Sequence, residues 1–246
     1  MFKNFLQVLA ILPTNYVAFT FFVGTMAMMA ACVFFFFEMS NVDKKWRTSI
    51  LVSGLITFIA AVHYYYMRGY NLETVSDAYP NGQSPIFFRY VDWILTVPLM
   101  CVEFYLITKK AGGTTSLLWK MILASVVMLV TGYWGEAVAP AQATLWGTIS
   151  AIAYFYIVYE VWLGDVKKLA TNAGSAVASA NKALGWFVLV GWAIYPLGYL
   201  IGTAEGQWYA SFANIGLNMD VIYNIGDAIN KIGFGLVIYS LSRKAA

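Results

Sequence analysis

Asp227 and Lys231 stand four residues apart inside the apolar stretch near the end of the chain. On a helix they share one face, about 6 Å apart along the axis. Mostly apolar sequence flanks Lys231 on both sides, roughly 12 to 15 residues each way, which puts its amine near the middle of about 30 Å of hydrocarbon. An ionisable group at that depth points to function by default, although an ion pair with Asp227 alone would also serve a structural purpose. A second stretch, Gln83 to Lys109, holds Arg89, Asp92, Thr96 and Glu103 among apolar residues. Glu103 lies eleven positions beyond Asp92, which is about three turns, so the two carboxyls project from nearly one face some 16 Å apart with Thr96 between them. Each charge in low dielectric must be paired or neutralised, and a purely structural account of so many is costly. Glu103 has no basic residue near it in its own helix and is expected to stay a neutral acid, which is a proton reservoir. The chemistry on offer is proton exchange across a membrane, with an amine in the middle.

The elements that position these groups follow from composition. The 246 residues are 61% hydrophobic and 11% charged, with a mean hydropathy of +0.67, far outside the range of soluble domains. Only helices and closed barrels satisfy every backbone group in lipid, and apolar runs of about 20 residues without alternation select helices. The sequence predicts an all-α membrane protein, a bundle of seven transmembrane helices over roughly 15–39, 48–69, 83–108, 115–136, 139–163, 183–204 and 215–242, in a single domain covering 1–246. The net charge of +3 makes no case for nucleic acid, and what matters is its distribution. Lys44, Lys45, Arg47, Lys109, Lys110, Lys120, Lys167, Lys168, Lys182, Arg243 and Lys244 cluster at one set of ends, while Glu73, Asp77, Glu136, Glu205 and Asp220 mark the other. The positive-inside rule then sets the N-terminus outside and the C-terminus in the cytoplasm. Helices three and seven both run inward in that arrangement. The axial order is Arg89, then Asp92 with Asp227, then Lys231, then Glu103 toward the cytoplasm.

Cys32 and Cys101 fall within apolar spans and read as small packing residues without a disulfide. Only Lys3 precedes an N-terminal apolar run interrupted by Pro13, with no small-residue cleavage site, so this run is expected to belong to the mature chain. Trp93 beside Asp92, Trp192, Tyr195 and Tyr199 around Pro196, and Met100 with Met128 could wall a long, flat, apolar ligand. Such aromatic stripes are more often packing than cofactor walls. They gain weight from Lys231, because a lysine amine forms Schiff bases with carbonyl ligands.

Three motifs, Arg89-Tyr-Val-Asp92-Trp93-Ile-Leu-Thr96-Val-Pro98-Leu, Trp192-Ala-Ile-Tyr195-Pro196 and Asp227-Ala-Ile-Asn-Lys231, together resemble the microbial rhodopsins over essentially the whole chain. The Asp92, Thr96, Glu103 triplet and His63-Tyr-Tyr-Tyr-Met-Arg68-Gly resemble the proteorhodopsin and xanthorhodopsin branch of bacterial outward proton pumps. That resemblance implies all-trans retinal bound to Lys231 as a protonated Schiff base, in a pocket that includes Trp93, Met100, Met128, Ser150, Trp192, Tyr195 and Tyr199. It implies Asp92 as proton acceptor and counterion, Asp227 as second counterion, Arg89 as the release-side gate and Glu103 as the cytoplasmic donor. His63, by itself most simply a satisfied core histidine, would hydrogen-bond Asp92 and titrate jointly with it. Met100 stands at a family tuning position and leans toward green.

Gly147, by itself most simply a close-packing residue, aligns with the glycine that leaves a lateral opening for a carotenoid antenna in xanthorhodopsin-like pumps. The implied protein is a light-driven ion transporter and no enzyme, multi-pass in the cell (inner or plasma) membrane, with the lipid bilayer and protons as partners and a homo-oligomer of trimer to hexamer size. Asp92, Thr96 and Glu103 fit neither a chloride pump, which would carry a neutral residue at 92, nor the sodium-pump pattern. A sensory photoreceptor is the alternative, although sensors commonly lack an inner carboxylic donor such as Glu103.

Overall fold

The computed structural model describes residues 14–244, and the expectation about Lys3 and Pro13 lies outside the described residues. Among the described residues seven helical spans are long and apolar enough to cross a membrane: Tyr16–Asn41, Arg47–Glu73, Ile86–Ala111, Thr115–Val138, Pro140–Asn172, Ser175–Gly202 and Met219–Lys244. Among the described residues there is no strand. Each span packs on the next, and span seven returns against spans one and two, which closes the ring. Local chemistry sets the starts. Asn15 Oδ1 accepts from the Ala18 amide at 2.9 Å, Thr114 Oγ1 from Leu117 at 3.2 Å and Asn218 Oδ1 from Val221 at 3.1 Å, each satisfying an orphan donor of a first helical turn.

Spans five and six differ from the sequence expectation. The chain breaks at Gly164 but resumes as a helix over Asp165–Asn172, because Glu160 Oε2 accepts from the Asp165 amide at 2.9 Å. Span six starts at Ser175, eight residues before the expected 183, after Gly174 with φ 105°. The connection expected between spans five and six, 164–182, takes in Asn181 and Lys182. In the fold Asn181 is buried and donates to the Val161 carbonyl at 3.0 Å, which lets the polar turn pack inside.

Span six also carries a π-helical segment, Phe187–Gly191, just before Trp192. The carbonyls that such a bulge displaces need partners. Tyr154 Oη donates to Val188 and Leu189 oxygens, both at 3.0 Å, and Asn230 Nδ2 donates to the Gly191 oxygen at 2.9 Å. Spans five and seven thus fix the turn from which Trp192 and Tyr195 project.

Candidate functional site

Lys231 is buried with Nζ between two carboxylates, 2.6 Å from Asp92 Oδ2 and 2.5 Å from Asp227 Oδ2. Helix spacing brings Asp227 there from four residues away; Asp92 arrives from span three. The two acids are held unequally. Asp227 Oδ1 accepts from Tyr195 Oη at 2.5 Å and Oδ2 from Tyr64 Oη at 3.0 Å. Asp92 has Lys231 on Oδ2, while its buried Oδ1 has no hydrogen-bond partner. Tyr64 carried no recognisable signal in the sequence, since a tyrosine in an aromatic run reads as packing.

His63 Nδ1 stands 3.9 Å from that free Asp92 oxygen, longer than a hydrogen bond. Its Nδ1 lies 2.8 Å from the Ile59 carbonyl instead, the partner one helical turn back. Thr96 is fully buried and donates to the Asp92 carbonyl at 2.9 Å, so it braces the backbone of span three beneath the acid.

Arg89 faces the end of the bundle away from Glu103. Its Nη2 bonds Asp220 Oδ1 at 2.8 Å and Asn224 Oδ1 at 2.9 Å, and its guanidinium lies 5.1 Å from the ring centres of both Phe21 and Tyr223. Asp220 therefore belongs to the site, although in the sequence it reads as one more acid at a loop. Glu103 is fully buried at the opposite end. Ser53 Oγ donates to its Oε1 at 3.4 Å, and Oε2 has no partner. An apolar layer stands beside it, with the Phe104 and Phe234 rings edge to face at 5.7 Å.

A cavity of about 260 Å³ runs between spans three, four, five and six, lined by Trp93, Met128, Gly147, Ser150, Trp192, Tyr195 and Tyr199, all expected from the sequence. Met100 is absent from that lining and sits in the hydrophobic core at 1% exposure. Tyr195 joins the cavity to the charged cage, since it lines the one and hydrogen-bonds Asp227 in the other. Ser150 Oγ donates to the Met128 carbonyl at 2.7 Å, which leaves the wall apolar. At the far end the lining reaches the exposed Thr144, Thr148 and Trp208. Gly147 stands at that mouth, and a Cβ there would lie 2.6 Å from Tyr199 Cε1, so close packing with Tyr199 accounts for the glycine as well as an opening does.

The model of the bacteriorhodopsin-like protein family matches residues 15–245. The chain belongs to this family. It is 43% identical to the green-light absorbing proteorhodopsin of Gamma-proteobacterium EBAC31A08 over 232 residues, 94% of this chain and 88% of that protein. Among solved structures it matches the blue light-absorbing proteorhodopsin from Med12 with a TM-score of 0.74 and 38% identity, covering 94% of this chain and 100% of that one. It also matches xanthorhodopsin, described as a light-driven ion pump with dual chromophore, with a TM-score of 0.77 and 29% identity over 95% of each chain. As a member of this family with seven spans, the protein is a multi-pass protein of the cell membrane. The family implies a retinal chromophore on a lysine, and the residues present fit it. A buried amine sits in a carboxylate cage that shares Tyr195 with an elongated apolar cavity walled by Trp93 and Trp192. A long polyene with one carbonyl end needs both.

Proposed function

We propose that the protein is a light-driven outward proton pump with all-trans retinal on Lys231, Asp92 as acceptor and Glu103 as donor. The observation that carries this is the asymmetry of the Lys231 cage. When bound, retinal supplies absorption of visible light and an isomerisation that disturbs the ion pair at the Lys231 nitrogen. The chain's own residues decide where the proton goes. Asp227 has three donors on its two oxygens, Tyr195, Tyr64 and Lys231, and hydrogen bonds to the charged form of an acid favour that form. Asp92 has one donor and a free buried oxygen, so Oδ1 of Asp92 is the place where a proton can be received. Asp227 keeps its charge and Asp92 takes the proton.

Glu103 then returns a proton to the Lys231 nitrogen from the other side. Burial without a cation suits it to hold a proton at rest, and Ser53 keeps one carboxyl oxygen fixed while the other stays free to give. With the N-terminus outside, as the basic clusters imply, Glu103 faces the cytoplasm and Arg89 the exterior, where Arg89 acts as the release-side gate. Net transport is outward. Thr96 and His63 act through Asp92, one by bracing its backbone and one by standing within Coulomb reach of its free oxygen.

Gly147, at the lateral mouth of the cavity beside exposed Thr148 and Trp208, is the position at which a carotenoid would enter. Illuminated vesicles carrying the retinal-loaded protein should show a pH change that a protonophore abolishes. A visible pigment without any light-driven pH change would favour the sensory alternative.

A further inference from the structure

Arg68 stands in the same helix as His63, and the proton path makes no use of it. It is 8% exposed, and its Nε is buried without a hydrogen-bond partner. An arginine stays charged in proteins, and a buried charge is normally paired. None of the ion pairs among the described residues includes Arg68. Its neighbours are rings instead: the guanidinium carbon lies 5.0 Å from the centre of Tyr65 and 6.0 Å from that of Phe22. A ring face attracts a cation but gives no acceptor oxygen to its N–H donors.

Acids are present at this end of the bundle and none of them serves Arg68. Asp220 is taken by Arg89 at 2.8 Å. Glu73, the last residue of the helix Arg47–Glu73, lies five positions beyond Arg68, which turns it about 140° away around the axis. Asn71 Oδ1, three positions on, is buried and also unpartnered. The chain thus builds a seat for a cation and supplies no anion to it.

Depth selects the ligand. Arg47–Glu73 has 27 residues, about 40 Å of helix, which matches a bilayer with its headgroups. Arg68 lies roughly 7.5 Å from the end of that helix, at the boundary between hydrocarbon and headgroups. Exposed Val23, Met26, Phe58 and Val62 cover the deeper surface of spans one and two, and exposed Tyr65 and Tyr66 stand near the level of Arg68, as in an aromatic belt. A Cβ on the adjacent Gly69 would meet nothing within 4 Å, so the ground beside Arg68 is open. A molecule that brings anionic oxygens to this level and apolar chains below it is a phospholipid.

We propose that Arg68 binds the phosphate of an anionic phospholipid in the leaflet at the Arg89 end, with Phe22 and Tyr65 holding the guanidinium and Phe58 and Val62 taking the acyl chains. A planar guanidinium offers a phosphate two parallel hydrogen bonds. The site does not depend on the direction in which protons move.

The full retinal-loaded protein, stripped of lipid in detergent, is titrated with phosphatidylglycerol, with a glycolipid of the same acyl chains and no phosphate, and with inorganic phosphate. Bound molecules are counted by native mass spectrometry. Arg68→Gln should keep the visible band and retain one fewer phosphatidylglycerol at low lipid, its affinity at that site falling about tenfold, the change expected on losing one charge-assisted hydrogen bond. Arg68→Lys should fall between the two, since it keeps the charge without the fork. Inorganic phosphate should bind the parent far more weakly than the lipid. Equal phosphatidylglycerol binding by the parent and Arg68→Gln overturns the proposal and leaves the guanidinium to water, such as one joining Nε to Asn71 Oδ1. Glycolipid or inorganic phosphate binding as tightly as phosphatidylglycerol overturns it too. So does a smaller oligomer in Arg68→Gln with bound lipid unchanged, which would give the arginine to a second copy of the chain. Should Arg68→Gln fail to form pigment, Arg68→Met, which keeps an apolar stem beside the rings, carries the same comparison, and unchanged lipid binding again overturns the proposal.

Discussion

Replacing Glu103 by glutamine isolates its acid–base role, because the amide has the shape of the acid and loses only the transferable proton. Glu103 is fully buried, with Ser53 Oγ at 3.4 Å from Oε1 and nothing on Oε2. Glutamine can still accept from Ser53 through its carbonyl oxygen, so the packing of Phe104 and Phe234 beside it is kept. What changes is the supply of a proton toward Lys231. Without a local acid, the proton must come from bulk water through a buried, largely apolar layer that includes Ile107 and Ile238, at 4% and 0% exposure. A positioned acid–base group contributes about 10²–10⁴ in rate, which is roughly 3–5 kcal/mol of barrier. The recovery of the dark visible band after a flash, followed at neutral pH, should therefore slow by two to four orders of magnitude on the estimate just given. Azide, a small acid that can cross the apolar layer, should restore the rate in proportion to its concentration, and so should low pH. Recovery at the parent rate would remove Glu103 from the donor role. Slow recovery that azide does not touch would mean that the substitution had damaged the fold.

Three further outcomes follow from the same geometry. His63→Asn removes the imidazole 3.9 Å from the free oxygen of Asp92; the pH titration of the absorption maximum should move, and an unmoved titration would show that the imidazole does not act on Asp92. Tyr195→Phe deprives Asp227 Oδ1 of its donor, a hydrogen bond to a charged group that is worth about 1.5–3 kcal/mol, so thermal bleaching should set in at a lower temperature than in the parent. Gly147→Phe fills the mouth, where even a Cβ would lie 2.6 Å from Tyr199 Cε1 and displace that ring; the visible pigment should still form, while the induced circular dichroism and energy transfer expected on mixing the parent with a hydroxylated carotenoid should disappear.

How much of this was legible in the sequence depends on whether a residue is anomalous where it stands. A lysine, two aspartates, a glutamate and an arginine inside apolar helices are anomalous, and the fold orders all five along the bundle as their spacing implies. Lys231 meets Asp92 and Asp227, Glu103 is buried further along the helix of Asp92, and Arg89 lies toward the other end on Asp220. Residues that are ordinary in their sequence context were missed. Tyr64 in a run of tyrosines holds Asp227, and Asp220 and Glu136, ordinary as loop acids, take Arg89 and Tyr90. The same rule explains the boundaries. Span six starts early because Asn181, which reads as a connector, is satisfied by a carbonyl of span five, and no one-dimensional pattern contains that partner.

A path that moves protons one way needs more than acids in a row, since a symmetric row conducts in both directions. In the proposed path the polarity would come from the count of donors on each carboxyl. Asp227 carries three, Asp92 carries one and Glu103 carries one weak one, so of the two acids touching Lys231, Asp92 has the oxygen open to a proton. The outer end repeats the device with Asp220 held by Arg89 and Ser84, and Glu136 held only by a phenol. In each pair one carboxylate accepts more hydrogen bonds than its neighbour. Removing donors from that member, as Tyr195→Phe does for Asp227, should therefore blur the choice of acceptor between Asp227 and Asp92. Asp220 would likewise lose a donor at the Arg89 end if Ser84 were replaced by alanine.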